Sequence, residues 1–311
     1  MKATFLVSIV LGFLMLSTFT NCDKVENPYP EQYAIDTTLY PGLWADYLSN
    51  EYPVFTQNTN TLRNALIEDY TGHKCNNCPN AAIIAHDIEV ANPGRAFVAS
   101  IHAAPSATGT SSFQSFDPTA SSFYTDHTNP EGRQYGIEFQ NGFNFFANPQ
   151  GTVSRKIVDN KMFDLSGTWQ SRTATILADT DLKVNLQSEV NFYTSTNGGF
   201  LHVEVEKLTA DPITMNAVVY VIEKSLIDWQ VMPNNSYNEF YEHESRHIGC
   251  IDNLAMGRSV FSQASSSGEK VMLDYSYKIP AGYTKEDLHF LIYVYDTETY
   301  EVLQVIKQEI Q

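Results

Sequence analysis

Residues 64–79 read NALIEDYTGHKCNNCP, and this stretch decides the fold of the chain. Residues 64–70 form an apolar run that is typical of a buried β-strand. Residues 79–90 carry the Ala-rich and Ile-rich faces of a helix, which Asn92-Pro93-Gly94 ends. Cys75 and Cys78 therefore lie where the strand gives way to the helix. A C-x-x-C pair at this junction, within alternating strands and helices, is typical of a redox-active dithiol.

The position at a helix start has a chemical consequence for the first cysteine. A helix N-terminus presents unpaired N–H groups and the positive end of the dipole, which stabilise a thiolate. We expect Cys75 to be the exposed attacking sulfur and Cys78 to resolve the mixed disulfide. His73 and Lys74 add positive charge that lowers the pKa of Cys75 further. Two alternatives stay open for the pair, a zinc site and a purely structural disulfide.

Strand and helix signals continue to alternate after this motif. A second strand is predicted at 97–102, and a polar insertion loop follows at 104–128. A helix at 131–140, a third strand at 152–158 and a helix at 168–178 complete the series. This order predicts a mostly parallel sheet with helices on both faces.

The chain changes character near residue 182, where short runs rich in β-branched and aromatic residues begin. Turn residues separate these runs, so six or seven strands are predicted, which favours an antiparallel β-sandwich of Ig-like size. The exception is 234–257, which we predict to be a long polar and aromatic crossing between strands. The predicted strands are 182–194, 199–208, 216–224, 270–279, 288–296 and 301–310.

The N-terminus has the order of a secretory signal. Lys2 precedes an apolar run, and no small-residue cleavage site follows it. The segment ends at Cys22, which resembles a bacterial lipoprotein signal with degraded flanking residues. We predict that Cys22 is lipidated; an ordinary cleaved signal is the alternative. No later stretch is long and apolar enough to span a bilayer.

Composition excludes one class of partner. The chain has 311 residues, with 36 Asp and Glu against 19 Lys and Arg, so its net charge is −17. Binding to nucleic-acid phosphates needs clustered Lys and Arg, and the sequence has no such run. We therefore expect no nucleic-acid partner. We also assign no cofactor and no metal ligand.

Residues 243–247 read HESRH and match the H-E-x-x-H pattern of zinc hydrolases. That pattern needs a helix, because about one helical turn places both histidines on one face and close enough to share a zinc ion, with the glutamate as general base. Charged neighbours surround His243 and His247, and the segment lies between predicted strands. We therefore rank zinc proteolysis last among the hypotheses and treat this segment as a surface crossing.

A strand followed by T-G-x-x-C-x-x-C-P resembles the thioredoxin-like domain, and specifically the Omp28-related outer membrane lipoproteins of the Bacteroidetes. The resemblance implies a cis proline opposite the cysteine pair, for which Pro149 is the candidate, since it precedes the third strand. It also implies a buried aspartate six residues before the first cysteine, and Asp69 has that spacing. Alternation leaves Glu68 as the other candidate for the inward position. No Trp precedes Cys75, so the redox direction stays open.

These observations combine into one prediction of an α/β plus all-β chain. We expect a lipoprotein signal at 1–22, an irregular tether at 23–57 with a short helix near 43–48, a thioredoxin-like domain at 58–182 and an Ig-like antiparallel β-sandwich at 183–311. The predicted function is thiol–disulfide exchange on extracytoplasmic protein thiols or disulfides. The predicted location is the outer membrane of a bacterial envelope, through the lipid anchor. The alternative is a non-catalytic surface lipoprotein whose Cys75–Cys78 disulfide is structural and whose β-domain binds a protein or a glycan.

Overall fold

The computed structural model describes residues 34–311, so the predicted signal and Cys22 lie outside the described residues. Residues 35–311 form one compact unit. Within the described part of the chain, no helix combines the length and the hydropathy that crossing a membrane requires.

Four helices and eleven strands build this unit. Asn77 precedes the first turn of the helix Cys78–Ala91, and Pro79 fits that turn because its missing N–H would have no partner there. The helices are Trp44–Asn50 (α1), Cys78–Ala91 (α2), Pro130–Glu138 (α3) and Trp169–Leu177 (α4). The strands are Ala65–Tyr70 (β1), Ala96–Ile101 (β2), Gln150–Val153 (β3), Val184–Tyr193 (β4), Gly198–Lys207 (β5), Met215–Val231 (β6), Tyr237–Cys250 (β7), Arg258–Phe261 (β8), Lys270–Lys278 (β9), Leu288–Asp296 (β10) and Val302–Glu309 (β11).

The first region contains β1, β2 and β3. β1 and β2 are parallel, with Ala65 opposite Ala96, but β3 is antiparallel to β1. The prediction of a mostly parallel sheet is therefore wrong for β3, because hydrophobic pattern carries no information on strand direction. The third strand is also shorter than the predicted 152–158, since Ser154 and Arg155 both have positive φ angles that end the extended backbone.

Helices cover both faces of this sheet, as predicted. Ala65 and Ile67 of β1 pack against α2 and α4, where Ala85 and Trp169 are buried. On the other face, Leu66 and Tyr70 pack with α3 and with strands of the second region. Alternate residues of β1 therefore enter two different cores.

The second region contains strands and short turns, which confirms the predicted change from mixed α/β to β structure. A three-stranded sheet in the order β4-β5-β9 packs on the β11-β10-β6 part of a larger sheet. Val203 of β5 and Val219 of β6 lie in the shared core. All the strand pairs formed among these six strands are antiparallel, and the two sheets form two layers around that core.

The crossing predicted at 234–257 is instead a long strand, β7, which pairs with β6 and joins the two regions. Ser100 of β2 lies beside Arg246 of β7 in parallel orientation, so one sheet runs in the order β11-β10-β6-β7-β2-β1-β3. The prediction failed because the buried side chains of β7 include His243, Arg246 and His247, which do not resemble an apolar face.

A buried charge network ties the regions together. Glu68 of β1 accepts hydrogen bonds from Arg155 at 2.7 and 2.8 Å, from Thr152 at 2.8 Å and from Tyr220 of β6 at 2.8 Å. Tyr293 of β10 accepts another Arg155 bond at 3.0 Å. Burial alone would raise the pKa of Glu68, but the Arg155 charge and these hydrogen bonds hold it below its usual value.

Residues 34–57 pack against the smaller sheet. The short helix predicted near 43–48 is α1, and its Tyr47 is fully buried. The Tyr47 ring lies 4.9 Å from that of Phe200, and its hydroxyl contacts His202 of β5. The part of the predicted tether that the structure describes is therefore anchored on the second region by aromatic packing.

Candidate functional site

Cys75 and Cys78 form a disulfide at the start of α2, with their Cα atoms 5.4 Å apart. A tight turn positions them: the Cys75 N–H donates to the Gly72 carbonyl at 3.0 Å, and the Cys78 N–H donates to the Cys75 carbonyl at 3.3 Å. The strand, the turn and the helix follow each other as predicted, so local sequence sets the placement of this pair.

Both cysteines are buried, with 1% of Cys75 and 2% of Cys78 exposed. The expectation of an exposed attacking sulfur at Cys75 is therefore wrong. The hairpin of β6 and β7 lies over the motif and contacts its backbone. Gln230 Nε2 donates to the Cys75 carbonyl at 3.0 Å, and the Val231 N–H donates to the His73 carbonyl at 2.8 Å.

The positive charge expected next to Cys75 is smaller than predicted. His73 is buried, and burial lowers its pKa to about 4, so it is neutral at pH 7. Its Nε2 lies 2.8 Å from the Ser115 carbonyl. Lys74 keeps its charge near the surface, where its Nζ donates to Ser115 Oγ at 3.1 Å and lies 5.4 Å from the centre of the Phe123 ring.

The two neighbouring carboxylates of β1 point to opposite faces, which resolves the choice between them. Glu68 belongs to the Arg155 network on the α3 face. Asp69 points to the α2 face, is fully buried, and neither of its oxygens has a hydrogen-bond partner among the described residues. Burial raises the pKa of Asp69 to about 7. This carboxyl therefore exchanges a proton near neutral pH.

Pro149 lies at the start of β3, and the Asn148–Pro149 peptide bond is cis, as the resemblance implies. The Asn148 side chain holds this segment by donating to the carbonyls of Tyr70 at 2.8 Å and Ala103 at 2.9 Å. Gln114 Nε2 joins the same group, since it donates to Thr71 and to Asn148. The proline segment is therefore fixed beside the chain that leads from β1 to the cysteines.

A cleft of about 440 Å³ opens between α2 and β7. The residues that line it include the second cysteine of the pair and several side chains whose pKa values are shifted by burial. Its walls include Asp69, Cys78, His102, Gln230, Tyr241 and His243. The cleft therefore brings together residues from both regions that lie far apart in sequence.

The H-E-x-x-H segment lies on strand β7 and cannot act as a helical zinc motif. Four residues of an extended strand span roughly 13 Å, too far for His243 and His247 to bind one ion. His247 instead packs in the core, with its ring 4.3 Å from that of Tyr220. Cys250, also on β7, is a free, buried thiol whose pKa burial raises.

A histidine cluster, His102, His127 and His243, lies at the inner end of the cleft, and the sequence analysis missed it. One side-chain nitrogen from each residue lies within 4.8 Å of the other two. His102 follows β2, His127 precedes α3, and His243 belongs to β7. No local motif links them, so only the three-dimensional arrangement reveals the cluster.

The chain is similar to a known protein family and to solved structures. Residues 137–311, more than half of the sequence, match the family model described as outer membrane protein Omp28. The chain belongs to the Omp28 family. This confirms the predicted localisation in the outer membrane of the bacterial cell envelope and implies association with a membrane. Attachment of lipid to Cys22 stays a prediction.

Two solved structures are similar to this family member at low identity. HBP35 of Porphyromonas gingivalis matches with a TM-score of 0.59 and 13% identity, over 81% of this chain and 77% of HBP35, which supports the fold alone. A domain of the outer membrane lipoprotein Omp28 from P. gingivalis covers 42% of this chain and 90% of its own, at 19% identity and a TM-score of 0.28. No curated protein matches the chain.

Proposed function

We propose that this Omp28 family member exchanges thiols and disulfides with extracytoplasmic proteins through Cys75 and Cys78. The observation that carries this proposal is a disulfide at a helix start beside a cleft that also contains the carboxyl of Asp69, which has no hydrogen-bond partner in the part of the chain that the structure describes. A structural disulfide needs no neighbouring proton acceptor. A resolving cysteine does, because only the thiolate attacks.

The fold assigned under this proposal is a thioredoxin-like region at 58–182 followed by an Ig-like sandwich at 183–311. The parallel pair β1 and β2, the antiparallel β3 and the cysteine pair at the start of α2 support the first assignment. The two-layer packing of antiparallel strands supports the second.

The reduced protein carries out the exchange in two steps. The Cys75 thiolate attacks one sulfur of a substrate disulfide, forms a mixed disulfide and releases the other substrate sulfur as a thiolate, which takes a proton from water. Cys78 then loses its proton to Asp69 and attacks the Cys75 sulfur, which forms the Cys75–Cys78 bond and releases the second substrate thiolate. Two electrons pass to the substrate. In the reverse direction, a thiolate of a dithiol substrate attacks the Cys75–Cys78 disulfide, and two electrons pass from the substrate to the protein.

Access to the sulfurs is a requirement of this mechanism. The β6–β7 hairpin covers the motif through Gln230 and Val231, so these contacts must open before a partner reaches Cys75. Pro149 follows Asn148, whose side chain is fixed on the Tyr70 carbonyl at the end of β1, and we assign Pro149 the role of shaping the partner groove. The partner is an extended protein segment that carries the thiol or disulfide.

Turnover of insulin disulfides by the reduced protein tests this function. We expect activity in the parent and its loss in Cys75→Ser. Cys250→Ser is the matched control, because Cys250 is a free, buried thiol outside the motif, and it should keep the parent rate. Absence of activity in the parent, or full activity in Cys75→Ser, contradicts the proposal.

A structural disulfide is the second candidate, and the burial of both cysteines favours it. In that case the pair staples the turn to α2, while the β-sandwich binds a protein or a glycan. The reduction potential separates the candidates, since structural disulfides lie below about −300 mV. Equilibration with glutathione or dithiothreitol buffers gives this value, and exchange requires a higher potential.

We also propose that Cys22 carries the lipid that holds the chain on its membrane. Mass spectrometry of the protein from envelope fractions checks this site. The expected result is an acylated N-terminal Cys22 and release of Cys22→Ser from the membrane. An unmodified N-terminus beyond residue 22 contradicts it.

A further inference from the structure

All three residues of the histidine cluster are buried, as the ligands of a preformed binding site are. Exposure is 2% for His102, 1% for His127 and 7% for His243. The rings meet edge to face, with centroids 4.9 Å apart for His102 and His127 and 4.8 Å apart for His127 and His243. Three buried imidazoles from three separate segments converge on one point, where each presents a nitrogen.

The cluster contains nitrogen atoms that lack protein partners. Nδ1 of His102 and Nδ1 of His127 are buried and have no hydrogen-bond partner within residues 34–311. The closest acceptor of His243 Nε2 is the Trp229 carbonyl at 3.4 Å, at the limit of a hydrogen bond. Buried polar atoms are normally satisfied, and each exception costs about 1–3 kcal/mol. These nitrogens therefore indicate a ligand that accepts their lone pairs.

Asp228 supplies the support that metal-binding histidines usually have. Its carboxylate lies 2.9 Å from Nε2 of His127, so that nitrogen carries the proton and Nδ1 offers the lone pair. This contact fixes the orientation of the His127 ring.

We propose that His102, His127 and His243 bind a divalent first-row transition metal, with Zn²⁺ as the reference ion and Asp228 orienting His127. Imidazole ligands suit zinc, copper and nickel, whereas magnesium and calcium need oxygen ligands. Three histidines leave one position of a tetrahedral ion for another ligand, and His102 and His243 line the cleft from which it would come.

The geometry needs only a small adjustment to hold an ion. Zinc–nitrogen bonds of about 2.0–2.1 Å place tetrahedral ligand nitrogens about 3.3 Å apart. The nitrogens now lie within 4.8 Å of one another, so side-chain rotations that move each nitrogen by about 1 Å bring them to the distance that an ion requires. The site shares His243 with the H-E-x-x-H pattern but excludes His247, which lies in the core.

Zinc titration of the metal-free, oxidised full-length mature protein by calorimetry tests the site. Keeping the disulfide intact removes the Cys75 and Cys78 thiolates as competing ligands, so the outcome is independent of the proposed exchange activity. We expect one Zn²⁺ per chain. His102→Gln and His243→Gln should each weaken binding at least tenfold, and Asp228→Asn about tenfold, as loss of an outer partner does.

His289→Gln is the matched control, because His289 is also buried with an unpartnered Nδ1 but lies outside the cluster. It should bind zinc as the parent does. Absence of stoichiometric zinc in the parent, or unchanged affinity in both cluster variants, overturns the proposal. Where a cluster variant fails to fold, X-ray absorption of the zinc-loaded parent decides: three nitrogen ligands at about 2.0–2.1 Å support the site, and a shell of oxygen ligands alone overturns it.

Discussion

The two faces of β1 treat neighbouring carboxyl groups in opposite ways. On the α3 face, Glu68 is fully buried and every partner that a carboxylate needs is present, including the Arg155 charge. On the α2 face, Asp69 is equally buried but has no hydrogen-bond partner among the described residues. The first arrangement stabilises the fold, whereas the second lowers stability and keeps a titratable group beside Cys78. Burial alone therefore does not tell a structural charge from a functional one.

The same contrast extends to the surroundings of each carboxyl. The Glu68 face contains tyrosines whose hydroxyls complete the network, such as Tyr220 and Tyr293. The Asp69 face opens into the cleft with Cys78 and two members of the histidine cluster. Among the described residues, the side with Asp69 and the histidine cluster has four unsatisfied buried polar atoms, whereas the Glu68 face has two, the Tyr70 hydroxyl and Arg155 Nη1.

The largest expected effect comes from Glu68→Gln, which leaves the Arg155 charge buried without its counter-ion. Removing one partner of a buried ion pair costs about 3–5 kcal/mol of unfolding free energy. Urea unfolding of the oxidised protein at pH 7 measures this loss. Arg133→Gln is the control, because the Arg133–Asp126 pair is exposed and should contribute less than about 1 kcal/mol. A loss that small in Glu68→Gln contradicts the structural role.

Asp69→Asn should raise the free energy of unfolding at high pH, whereas Glu68→Gln lowers it. Because burial raises the pKa of Asp69 from its ordinary 3.8 to about 7, the folded protein keeps a proton that the unfolded chain has lost between these values. The contribution of Asp69 to the free energy of unfolding is fully present below pH 3.8, and it is lost as the pH rises through 7. The asparagine variant avoids that loss, which amounts to at most about 4 kcal/mol.

Urea unfolding of parent and Asp69→Asn at pH 4 and pH 8 checks this sign. The variant should match the parent near pH 4 and exceed it at pH 8. Subtracting one protein from the other cancels the titration of the buried histidines, which changes stability in the reverse sense. Equal stabilities at both pH values mean that Asp69 has an ordinary pKa.

A smaller effect is expected from the hairpin that covers the disulfide. Gln230→Ala removes the hydrogen bond to the Cys75 carbonyl. If that bond contributes about 1.4 kcal/mol to keeping the hairpin closed, its loss corresponds to about a tenfold increase in rate. Dithiothreitol should therefore reduce Cys75–Cys78 about tenfold faster in this variant. Asn235→Gly removes an exposed bond to Asn76 and tolerates the positive φ of this turn position, so it should change the rate less than about threefold. Equal rates in all three proteins show that the hairpin does not limit access.

The smallest expected effect concerns Lys74, the charged side chain retained within the motif. Lys74→Gln should raise the pKa of the reduced Cys75 thiol by less than about half a pH unit at 0.15 M salt, because solvent screens the exposed ammonium. Thiolate absorbance as a function of pH gives the value. Lys161→Gln, on an exposed turn, is the control. A change above one pH unit contradicts the screening argument.

Much of the local structure follows from the sequence. Periodicity and turn residues place β1, α2 and β2 within two residues of their observed ends, and the six predicted strands of the second region are all present. The cysteine motif places the disulfide at the helix start. These features depend on neighbours in the chain, which a sequence pattern records directly.

Features that depend on distant residues escaped prediction. β7 carries histidines and an arginine on its buried side, so it lacks the alternation of a core strand. Burial of Cys75 depends on Gln230, which lies 155 residues away. The histidine cluster joins residues 102, 127 and 243, and no spacing rule connects them. In each case the partner belongs to another segment, and only the folded chain brings the two together.

The pairing of β2 with β7 has a practical consequence for expression. A fragment that ends at residue 182 would keep β2 but lose β7 and Tyr220, so a strand edge and an aromatic core face would meet water. We expect such a fragment to aggregate, whereas a chain that begins near Ile35 and ends at Gln311 keeps the compact unit whole. Fragment studies of either half therefore describe a surface that the intact protein does not have.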